Sequence, residues 1–381
     1  MKEGRIKIEV GVLLAERIEF EFLSSGKGAQ EVSIRDGRIL YEGELHDELY
    51  FRGEENAEGF SNPSFTLKDV VIGIDFHWER KVDQSFAGDL KFILEDGKIR
   101  AVNIVWIEDY LLSVISSEMK SSARKEYLKA HAVISRSWVL AQIEKVHPHR
   151  NFDVCADDHC QRYQGVSMAV GQTVREAILE TAGIVLTYRG ELCDTRFSKC
   201  CGGRTEIFST CWEDKDYPYL QSVEDPYCNT SDTDTLSRVL NDYDLETKDF
   251  YEWTVEFKRS ELSSLVRRKT GVDFGEILDL IPLERGESGR IKSLRIVGTR
   301  AEKVIGKELA IRRALSESHL KSSWFDLEWE GDLLRLKGRG WGHGVGLCQI
   351  GAAVMAGEGY DHRRILSYYY PGSELKEYEK Y

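Results

Sequence analysis

The sequence predicts an α+β fold, with strands arranged around a central pair of helices. Three changes of pattern along the chain lead to this prediction. Residues 5–105 mostly alternate apolar and polar side chains, which is typical of strands. The segments 108–119 and 123–145 show helical spacing and contain no Gly, Pro or Asn. Residues 250–335 return to mixed strands with a helix, which predicts a smaller α/β subdomain inserted at 236–335.

The same changes of pattern define the predicted domains. Asp-Gly pairs at 36–37 and 96–97 are hairpin-turn signals between alternating segments. Residues 1–100 are therefore expected to form a β-rich N-terminal region. Residues 101–372 are expected to form the core, which contains the inserted subdomain, and residues 373–381 a C-terminal tail.

The composition is that of a globular protein long enough for two or three domains. The 381 residues are 41% hydrophobic and 31% charged. The sequence contains no run of about 18 apolar residues, so it predicts no transmembrane helix. The net charge of −13 argues against a nucleic-acid partner, because phosphate backbones are bound by surfaces rich in Lys and Arg. The chain starts on a strand pattern without the apolar core of a secretory signal, so the sequence itself does not indicate export.

The first helical segment closes on a glutamate. Tyr110–Met119 is apolar apart from small hydroxyl side chains, and Glu118 is its penultimate residue. Partly apolar surroundings disfavour the charged form of a carboxyl group, and a general acid needs such a raised pKa near neutral pH. The alternative is an exposed glutamate at a helix end, which the local sequence favours.

The second helical segment carries an arginine on an apolar face. Two apolar stripes run along it at spacings of three and four, and Arg136 lies between Val133 and Leu140 on the second stripe. An unpaired buried charge is very costly, so the guanidinium is expected to face a carboxylate or a polar ligand. The alternative is a buried ion pair that only fixes the packing.

Potential metal ligands are concentrated in His147–Cys160. Two cysteines and three histidines lie within this segment, and sulfur and imidazole nitrogen are donors that zinc prefers. The spacing of Cys155 and Cys160 is wider than in most zinc motifs. A local disulfide and a pair of free buried thiols are the alternatives. No cysteine lies in a recognisable nucleophile motif.

A Gly-Gly turn follows at 202–203. It is expected to expose hydroxyl and ammonium groups beside aromatic rings, a combination suited to stacking and hydrogen bonding with sugars. An ordinary turn over core aromatic residues is the alternative. The residues predicted to bind a glycan here are Ser198, Lys199, Gly202, Gly203, Thr205 and Trp212.

Glycine occupies every second position from Gly338 to Gly346. In an extended segment this leaves one face bare and places Arg339, Trp341 and His343 on the other face. The alternation indicates that another group lies very close to this backbone. A glycine-kinked core strand packed against a helix is the alternative.

Together these segments resemble the SpoIID/LytB family, named for stage II sporulation protein D and the amidase enhancer. The resemblance covers residues 100–372, and the matching segments fall in the family's order. They are Val105–Met119, Leu128–Arg136, Cys160–Gly165, Thr181–Gly183, Phe197–Thr205, Ser288–Arg290 and Gly338–Ala352. The sequence departs from the family at Cys200 and Cys201, where small or hydroxyl residues are common, and at Cys348, where serine is usual.

The resemblance implies a lytic transglycosylase that acts on peptidoglycan glycan strands. Such an enzyme cleaves the bond between N-acetylmuramic acid and N-acetylglucosamine without water and leaves an anhydro sugar. By position Glu118 matches the catalytic acid, and Arg136 matches an arginine of the active site. One carboxyl group suffices because the sugar's own 6-hydroxyl is the nucleophile. Trp341, His343 and Gln349 are expected to line a wall for the sugar chain.

The implied reaction requires no cofactor, but some members of the family carry a zinc ion. By position its ligands are His149, Cys155 and Cys160, with His159 as an alternative ligand. The resemblance also implies a location in the cell envelope. The alternative function that it implies is a non-catalytic glycan-binding protein that enhances a cell-wall amidase.

Overall fold

The protein has the predicted α+β class. The computed structural model describes residues 6–378 except 55, 57, 58, 73–79, 121, 158, 167–170 and 241–248. It is 26% helical and 38% strand, with several separate sheets, which confirms the predicted class. Two compact units make up the chain, Met1–Asp194 with Leu375–Tyr381, and Thr195–Glu374. None of the described helices is both long and apolar enough to cross a membrane.

Strands dominate the described part of the first unit up to residue 106. They are β1 (Lys7–Ala15), β2 (Arg17–Phe22), β3 (Ala29–Arg35), β4 (Arg38–Tyr41), β5 (Glu44–His46), β6 (Leu49–Phe51), β7 (Pro63–Ile72), β8 (Arg80–Ala87), β9 (Asp89–Glu95) and β10 (Lys98–Trp106). Alternation along these strands places Phe20, Phe65, Phe86 and Phe92 in the core, where none has exposed surface. The strand pattern of the sequence is therefore confirmed here.

These strands form two sheets. The six-stranded sheet has the order β5-β4-β3-β2-β7-β8. The five-stranded sheet adds β11 (Val154–Cys155) and has the order β11-β1-β10-β9-β6. β1 pairs antiparallel with β10 and parallel with β11. The short β11 therefore fixes the chain around residue 154 to the edge of this sheet.

The predicted pair of helices follows directly after β10. α1 (Ile107–Glu118) and α2 (Lys125–Ala141) agree with the two helical segments, and a π-helical turn (Gln142–Val146) extends α2. Most residues of α1 and α2 are buried, and α3 (Gln172–Glu180) packs against both. The strands that follow are β12 (Ile184–Tyr188) and β13 (Glu191–Leu192). The helical pair is thus central to the first unit.

The second unit contains shorter elements and small sheets. Its strands are β14 (Phe197–Ser198), β15 (Glu252–Lys258), β16 (Ile277–Arg285), β17 (Ile291–Gly298), β18 (Glu302–Gly306), β19 (Phe325–Glu330), β20 (Leu333–Arg339) and β21 (Leu347–Cys348). Its helices are α4 (Phe208–Cys211), α5 (Thr233–Val239), α6 (Arg259–Thr270), α7 (Glu308–Ala314), α8 (Gln349–Gly357) and α9 (His362–Tyr369). The sheets are β14-β21, β15-β20-β19 and β16-β17-β18.

Part of the second unit has its own hydrophobic core. Trp253, Phe274 and Ile296 are among the buried residues of this core, which β15–β20 enclose with α6 and α7. The boundaries of the 236–335 subdomain stay a prediction, and its residues 241–248 lie outside the described part of the chain. Beyond the second unit, β22 (Glu374–Glu377) pairs with β12, so the segment predicted as a tail contains a strand.

Candidate functional site

The proposed acid, Glu118, is the last residue of α1 and is partly exposed. The turn that carries it is held by side-chain hydrogen bonds. The Ser117 hydroxyl donates to the Ser113 carbonyl at 2.8 Å and accepts from the backbone N–H of Gln164 at 3.3 Å. A carboxyl group therefore stands at a helix end that is tied to a neighbouring segment of chain.

That neighbouring segment is Cys160–Val166, called the strap below. It lies against α1 through two buried tyrosines, whose rings stack at 5.1 Å. Tyr110 of α1 donates to Gln161 Oε1 at 3.0 Å, and Tyr163 of the strap donates to Asn103 Oδ1 at 2.5 Å. Burial raises the pKa of both tyrosines well above its usual value of 10, so both hydroxyls remain hydrogen-bond donors.

The penultimate residue of the strap is a glycine that its position requires. Gly165 has a φ of +79°, and a Cβ added to it would lie 2.4 Å from the Ser85 carbonyl oxygen of β8. The next residue, Val166, donates its N–H to the same carbonyl at 2.7 Å. Only glycine permits this close approach. The segment that resembles the family at Cys160–Gly165 is thus pressed against the sheet beside α1.

The predicted metal ligands come together at the start of the strap. His149, Cys155, His159 and Cys160, called the open cluster below, each place a donor atom within 4.8 Å of the others. The Cys160 Sγ atom lies 3.5 Å from His149 Nε2 and 3.8 Å from His159 Nδ1. His159 is exposed and Cys155 is buried, so the cluster opens to solvent on one side.

The sheet edge positions this open cluster. Cys155 lies in β11 opposite Gly11 of β1, and the Ala156 N–H donates to the Gly11 carbonyl at 3.0 Å. A Cβ on Gly11 would lie 2.7 Å from the Phe152 ring, which stacks on the His149 ring at 4.5 Å. Main-chain pairing therefore fixes Cys155, and ring stacking fixes His149.

The donor set suits zinc. Two sulfur and two imidazole donors form a common tetrahedral zinc site. Both thiols are free, so the local disulfide alternative does not describe this structure. The hydrogen bond between the two thiols lowers the pKa of Cys155 and raises that of Cys160. The residues present therefore fit the implied metal.

Arg136 faces a carboxylate, as its buried position predicts, and this carboxylate belongs to Glu108 and not to Glu118. Its buried guanidinium donates to both carboxylate oxygens of Glu108, at 3.0 and 2.6 Å, and to the Ile184 carbonyl at 3.0 Å. Glu108 and Glu118 stand ten residues apart on α1, which separates their Cα atoms by about 15 Å. Arg136 therefore holds the beginning of α1, while Glu118 is at its end.

Several predicted glycan ligands of the second unit are buried, which corrects the expectation that the Gly-Gly turn exposes them. Thr205 has no exposed surface, and its hydroxyl donates to the Gln221 carbonyl at 3.1 Å and accepts from the Val223 N–H at 2.8 Å. Ser198 is 6% exposed and Gly202 is buried, and Gln349, another predicted glycan ligand, is 2% exposed. Hydrogen bonds within the unit, not solvent, surround the Thr205 hydroxyl.

Other predicted glycan ligands are partly exposed. They include Lys199, Gly203 and the aromatic residue Trp341. The Trp212 ring lies 4.9 Å from the His343 ring, and the Arg196 guanidinium lies 4.6 Å from the Trp212 ring centre. Of the predicted glycan ligands, Trp212 and His343 are therefore in ring contact.

His343 is neutral in this setting. Its Nδ1 accepts a hydrogen bond from the Val345 N–H at 3.0 Å. Burial lowers the pKa of His343 well below its usual 6.5, and the positive charges of Arg196 and Arg290 lower it further.

The alternating glycines do not form an extended segment beyond Arg339, and that prediction is wrong. Gly340, Gly342, Gly344 and Gly346 have φ between +73° and +98°. This left-handed region is open to glycine and costly for other residues. The chain therefore follows an irregular path from the end of β20 to β21.

The group that approaches this backbone is the side chain of Arg290. A Cβ on Gly344 would lie 2.4 Å from the Arg290 Cζ atom. The fully buried guanidinium donates to the carbonyls of Cys201 at 3.1 Å and Gly342 at 3.2 Å, and to Ser288 Oγ at 3.0 Å. The close contact that the glycines predict is thus internal to the unit.

Sequence reasoning missed two residues that position the candidate acid. Glu108 pairs with Arg136 across 28 residues, and Gln161 meets Tyr110 across 51 residues. The buried arginine predicted a carboxylate partner, but no local spacing identifies which one. Gln161 lies in the family-matching segment Cys160–Gly165 beside a predicted metal ligand, but nothing in the sequence indicated its contact with Tyr110.

Comparisons with known proteins match two parts of the chain. A family model described as "Stage II sporulation protein" matches residues 95–188, which include Glu118, Arg136 and the open cluster. A second family model, described as a domain of unknown function (DUF8618), matches residues 206–346.

Curated relatives extend the similarity to most of the chain. An uncharacterized protein of Brachyspira hyodysenteriae is 29% identical over 77% of this chain and 73% of the relative. Stage II sporulation protein D of Bacillus subtilis is 25% identical over 73% of this chain and 76% of the relative. The amidase enhancer of Bacillus subtilis is 28% identical over 70% of this chain, but this spans only 40% of that relative.

Proposed function

Because this chain belongs to the SpoIID/LytB family of cell-wall-related proteins, we propose that it is a lytic transglycosylase that cleaves peptidoglycan glycan strands, with Glu118 as the catalytic acid. The observation that carries this proposal is the placement of Glu118. It is a partly exposed carboxyl group at the end of a buried helix, and the strap is bonded to the same helical turn. A carboxyl group in such a position can reach a polymer while its helix stays fixed.

The proposed reaction needs one carboxyl group in two roles. Glu118 donates its proton to the glycosidic oxygen as the bond from that oxygen to C1 of N-acetylmuramic acid breaks. The carboxylate then accepts the proton of the sugar's 6-hydroxyl group. The oxygen of that hydroxyl group bonds to C1 and closes the anhydro ring. The proton count balances and water takes no part. Hydrolytic glycosidases instead use a second carboxyl group for the nucleophile or for activating water.

The contacts at both ends of α1 support a fixed geometry for this acid. Arg136 holds the beginning of α1 through Glu108, so we propose it as a positioning residue. The strap holds the other end through Ser117 and through the Tyr110–Gln161 bond. Accurate placement of a general acid contributes to catalysis because misplacement weakens proton transfer.

We further propose that the open cluster binds a structural zinc ion. When bound, the ion would cross-link His149 and Cys155 to the start of the strap at Cys160. Its predicted role is to hold the strap against α1, and none of the proposed proton transfers involves it. Zinc in a closed set of four protein ligands commonly contributes to folding in this way.

The proposal is tested by Glu118→Gln, which keeps the size of the side chain and removes its acid. Wild-type protein should release anhydro-muramyl products from purified glycan strands, and the variant should release at least about 100-fold less. Mass spectrometry of the products identifies the anhydro end and distinguishes this reaction from hydrolysis.

The matched control is Glu180→Gln. Glu180 is an exposed glutamate that pairs with Lys129 at 2.7 Å, and such surface pairs contribute less than about 1 kcal/mol. This variant should release products at the wild-type rate. Equal release by Glu118→Gln and wild type would refute the assignment of the acid.

A second candidate function is supported by the relative named amidase enhancer. In this alternative the protein binds glycan strands and activates a cell-wall amidase without cleaving sugars. Wild type and Glu118→Gln would then both bind glycan, release no sugar and stimulate amidase equally. In either function we propose that the protein works at the cell envelope.

A further inference from the structure

A second group of potential ligands lies inside the second unit, away from every predicted site. Cys201, Asp225, Cys228 and Cys348, called the buried cluster below, place their donor atoms within 4.8 Å of one another. All four residues are buried. Cys201 follows β14, Asp225 and Cys228 lie between α4 and α5, and Cys348 ends β21.

The backbone fixes each of these side chains. β14 and β21 pair Ser198 with Cys348, and the Cys201 N–H points at the Cys348 Sγ atom from 3.3 Å. The Asp225 N–H donates to the Gly203 carbonyl at 2.9 Å, two residues beyond Cys201. The four donors therefore come from three separate stretches of chain that main-chain contacts hold together.

The carboxylate of Asp225 is oriented for a ligand role. Its Oδ1 atom accepts the backbone N–H groups of Tyr227 at 3.0 Å and Cys228 at 3.2 Å. Its Oδ2 atom lies 3.1 Å from Cys201 Sγ and accepts from the Tyr369 hydroxyl at 3.1 Å. One oxygen is thus used by the backbone, and the other faces the sulfur atoms.

The separation of the sulfur atoms distinguishes a metal site from a disulfide. Cys201 Sγ and Cys228 Sγ are 3.6 Å apart. A disulfide bond is about 2.05 Å long. Two thiolates on a tetrahedral zinc ion, each bonded at about 2.3 Å, are about 3.8 Å apart. The observed distance is close to the second value.

The helix beside the cluster leaves room for the carboxylate. Gly351 lies in α8, and a Cβ there would be 2.4 Å from Asp225 Oδ2 and 2.3 Å from the Tyr369 hydroxyl. Glycine inside a helix costs about 1 kcal/mol relative to alanine. The oxygen atoms of Asp225 and Tyr369 fill the space that a side chain at position 351 would occupy. Glycine at this position of α8 therefore allows Asp225 to lie where it does.

We propose that the buried cluster is a structural zinc site with three cysteine ligands and one aspartate ligand. Thiolate sulfur selects zinc over magnesium or calcium, and four protein ligands without solvent access are typical of structural rather than catalytic zinc. Zinc also offsets the charge of the thiolates, which would otherwise be costly to bury. The same site explains why Cys201 and Cys348 depart from the family's usual residues.

The zinc content of the buried cluster can be measured separately from that of the open cluster. Native mass spectrometry and elemental analysis are applied to wild type, to Cys155→Ser/Cys160→Ser and to Cys228→Ser, each expressed with zinc and purified under reducing conditions. The double variant lacks the open-cluster thiols and should retain one zinc ion per chain. Cys228→Ser should lose one zinc ion relative to wild type, with zinc affinity at the buried cluster weakened more than about 100-fold.

Cobalt provides a readout that does not depend on activity. Co²⁺ bound to the double variant should show thiolate-to-metal charge transfer in the near ultraviolet, because its ligands are cysteine sulfur atoms. Adding Cys228→Ser should reduce this absorption by at least about a third, since one of three thiolates is lost. Cys193→Ser, a buried free cysteine outside both clusters, should leave zinc content and absorption unchanged.

Four outcomes would overturn the proposal. One is a folded double variant, judged by near-ultraviolet circular dichroism, that carries no zinc. Another is cobalt absorption that Cys228→Ser does not change. The third is an intact mass lowered by the hydrogens that a disulfide loses. The fourth is iron with sulfide in place of zinc. Failure of Glu118→Gln to affect glycan cleavage has no bearing on these results.

Discussion

The open cluster and the buried cluster both contain cysteine sulfur, joined by histidines in the first and by an aspartate in the second, and they are built in opposite ways. In the open cluster, Cys160 meets His149 across 11 residues, and one ligand, His159, is exposed. In the buried cluster, Cys201 meets Cys348 across 147 residues, and all four ligands are buried. The first is a local loop fixed to a sheet edge, whereas the second is assembled by the tertiary fold of its unit.

This difference has consequences for how a metal would bind and leave. A loop cluster with a solvent-facing ligand can exchange its ion while the sheet stays folded. A buried cluster can release its ion only when its unit opens locally, and opening free energies range from near zero at the surface to the global value in the core. The predictions below run from the largest expected effect to the smallest. The first compares the two clusters directly, and the later ones test the packing of the unit that holds the buried cluster.

The largest expected difference is in the rate of metal loss. A strong chelator should remove zinc from the open cluster more than about 1,000-fold faster than from the buried cluster, because opening a core costs at least about 4 kcal/mol. The open cluster is measured in Cys228→Ser and the buried cluster in Cys155→Ser/Cys160→Ser, by a chromogenic chelator. Equal rates would show that the buried cluster is accessible and would remove the contrast.

A smaller effect is expected from Gly344→Ala, which acts on the buried cluster through Arg290. The added Cβ would lie 2.4 Å from Arg290 Cζ, and Arg290 holds the Cys201 carbonyl. Left-handed strain, overpacking and the weakened hydrogen bonds should together lower the free energy of unfolding by about 3 kcal/mol or more. Urea unfolding measures this change.

Gly331→Ala is the matched control for that substitution. Gly331 also has a left-handed φ, of +61°, but no atom lies within 4 Å of its would-be Cβ. Its substitution should lower the free energy of unfolding by only about 1 kcal/mol, from backbone strain. Similar losses at both positions would contradict the role given to the contact with Arg290.

The smallest effect concerns His343, which is neutral because burial and nearby arginines lower its pKa. Below about pH 6.5 the unfolded chain binds a proton at this residue and the folded chain does not. Folding should therefore weaken as the pH falls from 6.5 toward the lowered pKa, by at most about 1.4 kcal/mol per pH unit. Above pH 6.5 this residue should contribute no pH dependence.

The difference between wild type and His343→Gln isolates this contribution. Metal ligation also weakens in acid, but it does so in both proteins and cancels in the difference. Free energies of unfolding are compared at about pH 7.5 and about pH 5.5. An unchanged difference between the two proteins would show that His343 takes up a proton in the folded state.

The sequence predicted local features well and long-range contacts poorly. Strand alternation and helical spacing are local, so the β-rich start and the helices α1 and α2 were predicted with small errors at their ends. The grouping of the open cluster was anticipated because its residues are close in sequence, and the family resemblance implied which of them would be ligands. The partner of Arg136 was not, because Glu108 is brought to it by packing of two helices.

The glycine-rich segment shows the same limit. Alternation correctly indicated a close approach to the backbone, but it predicted an extended strand. The structure instead has left-handed glycines around the buried side chain of Arg290. The glycine pattern indicates that some group packs close to the backbone. The identity of that group depends on a residue that is distant in the sequence.

By itself, the sequence determined the α+β class and the helical pair, because alternation and helical spacing involve neighbours along the chain, where spacing reports geometry directly. The roles of Glu118 and of His149, Cys155, His159 and Cys160 were implied by the family resemblance and stay proposals. Only the tertiary structure decided that Arg136 holds Glu108, that Thr205 and Gln349 are buried, and that Cys201 and Cys348 meet Asp225 and Cys228. Such contacts are set by how whole elements pack, and no local spacing encodes that packing.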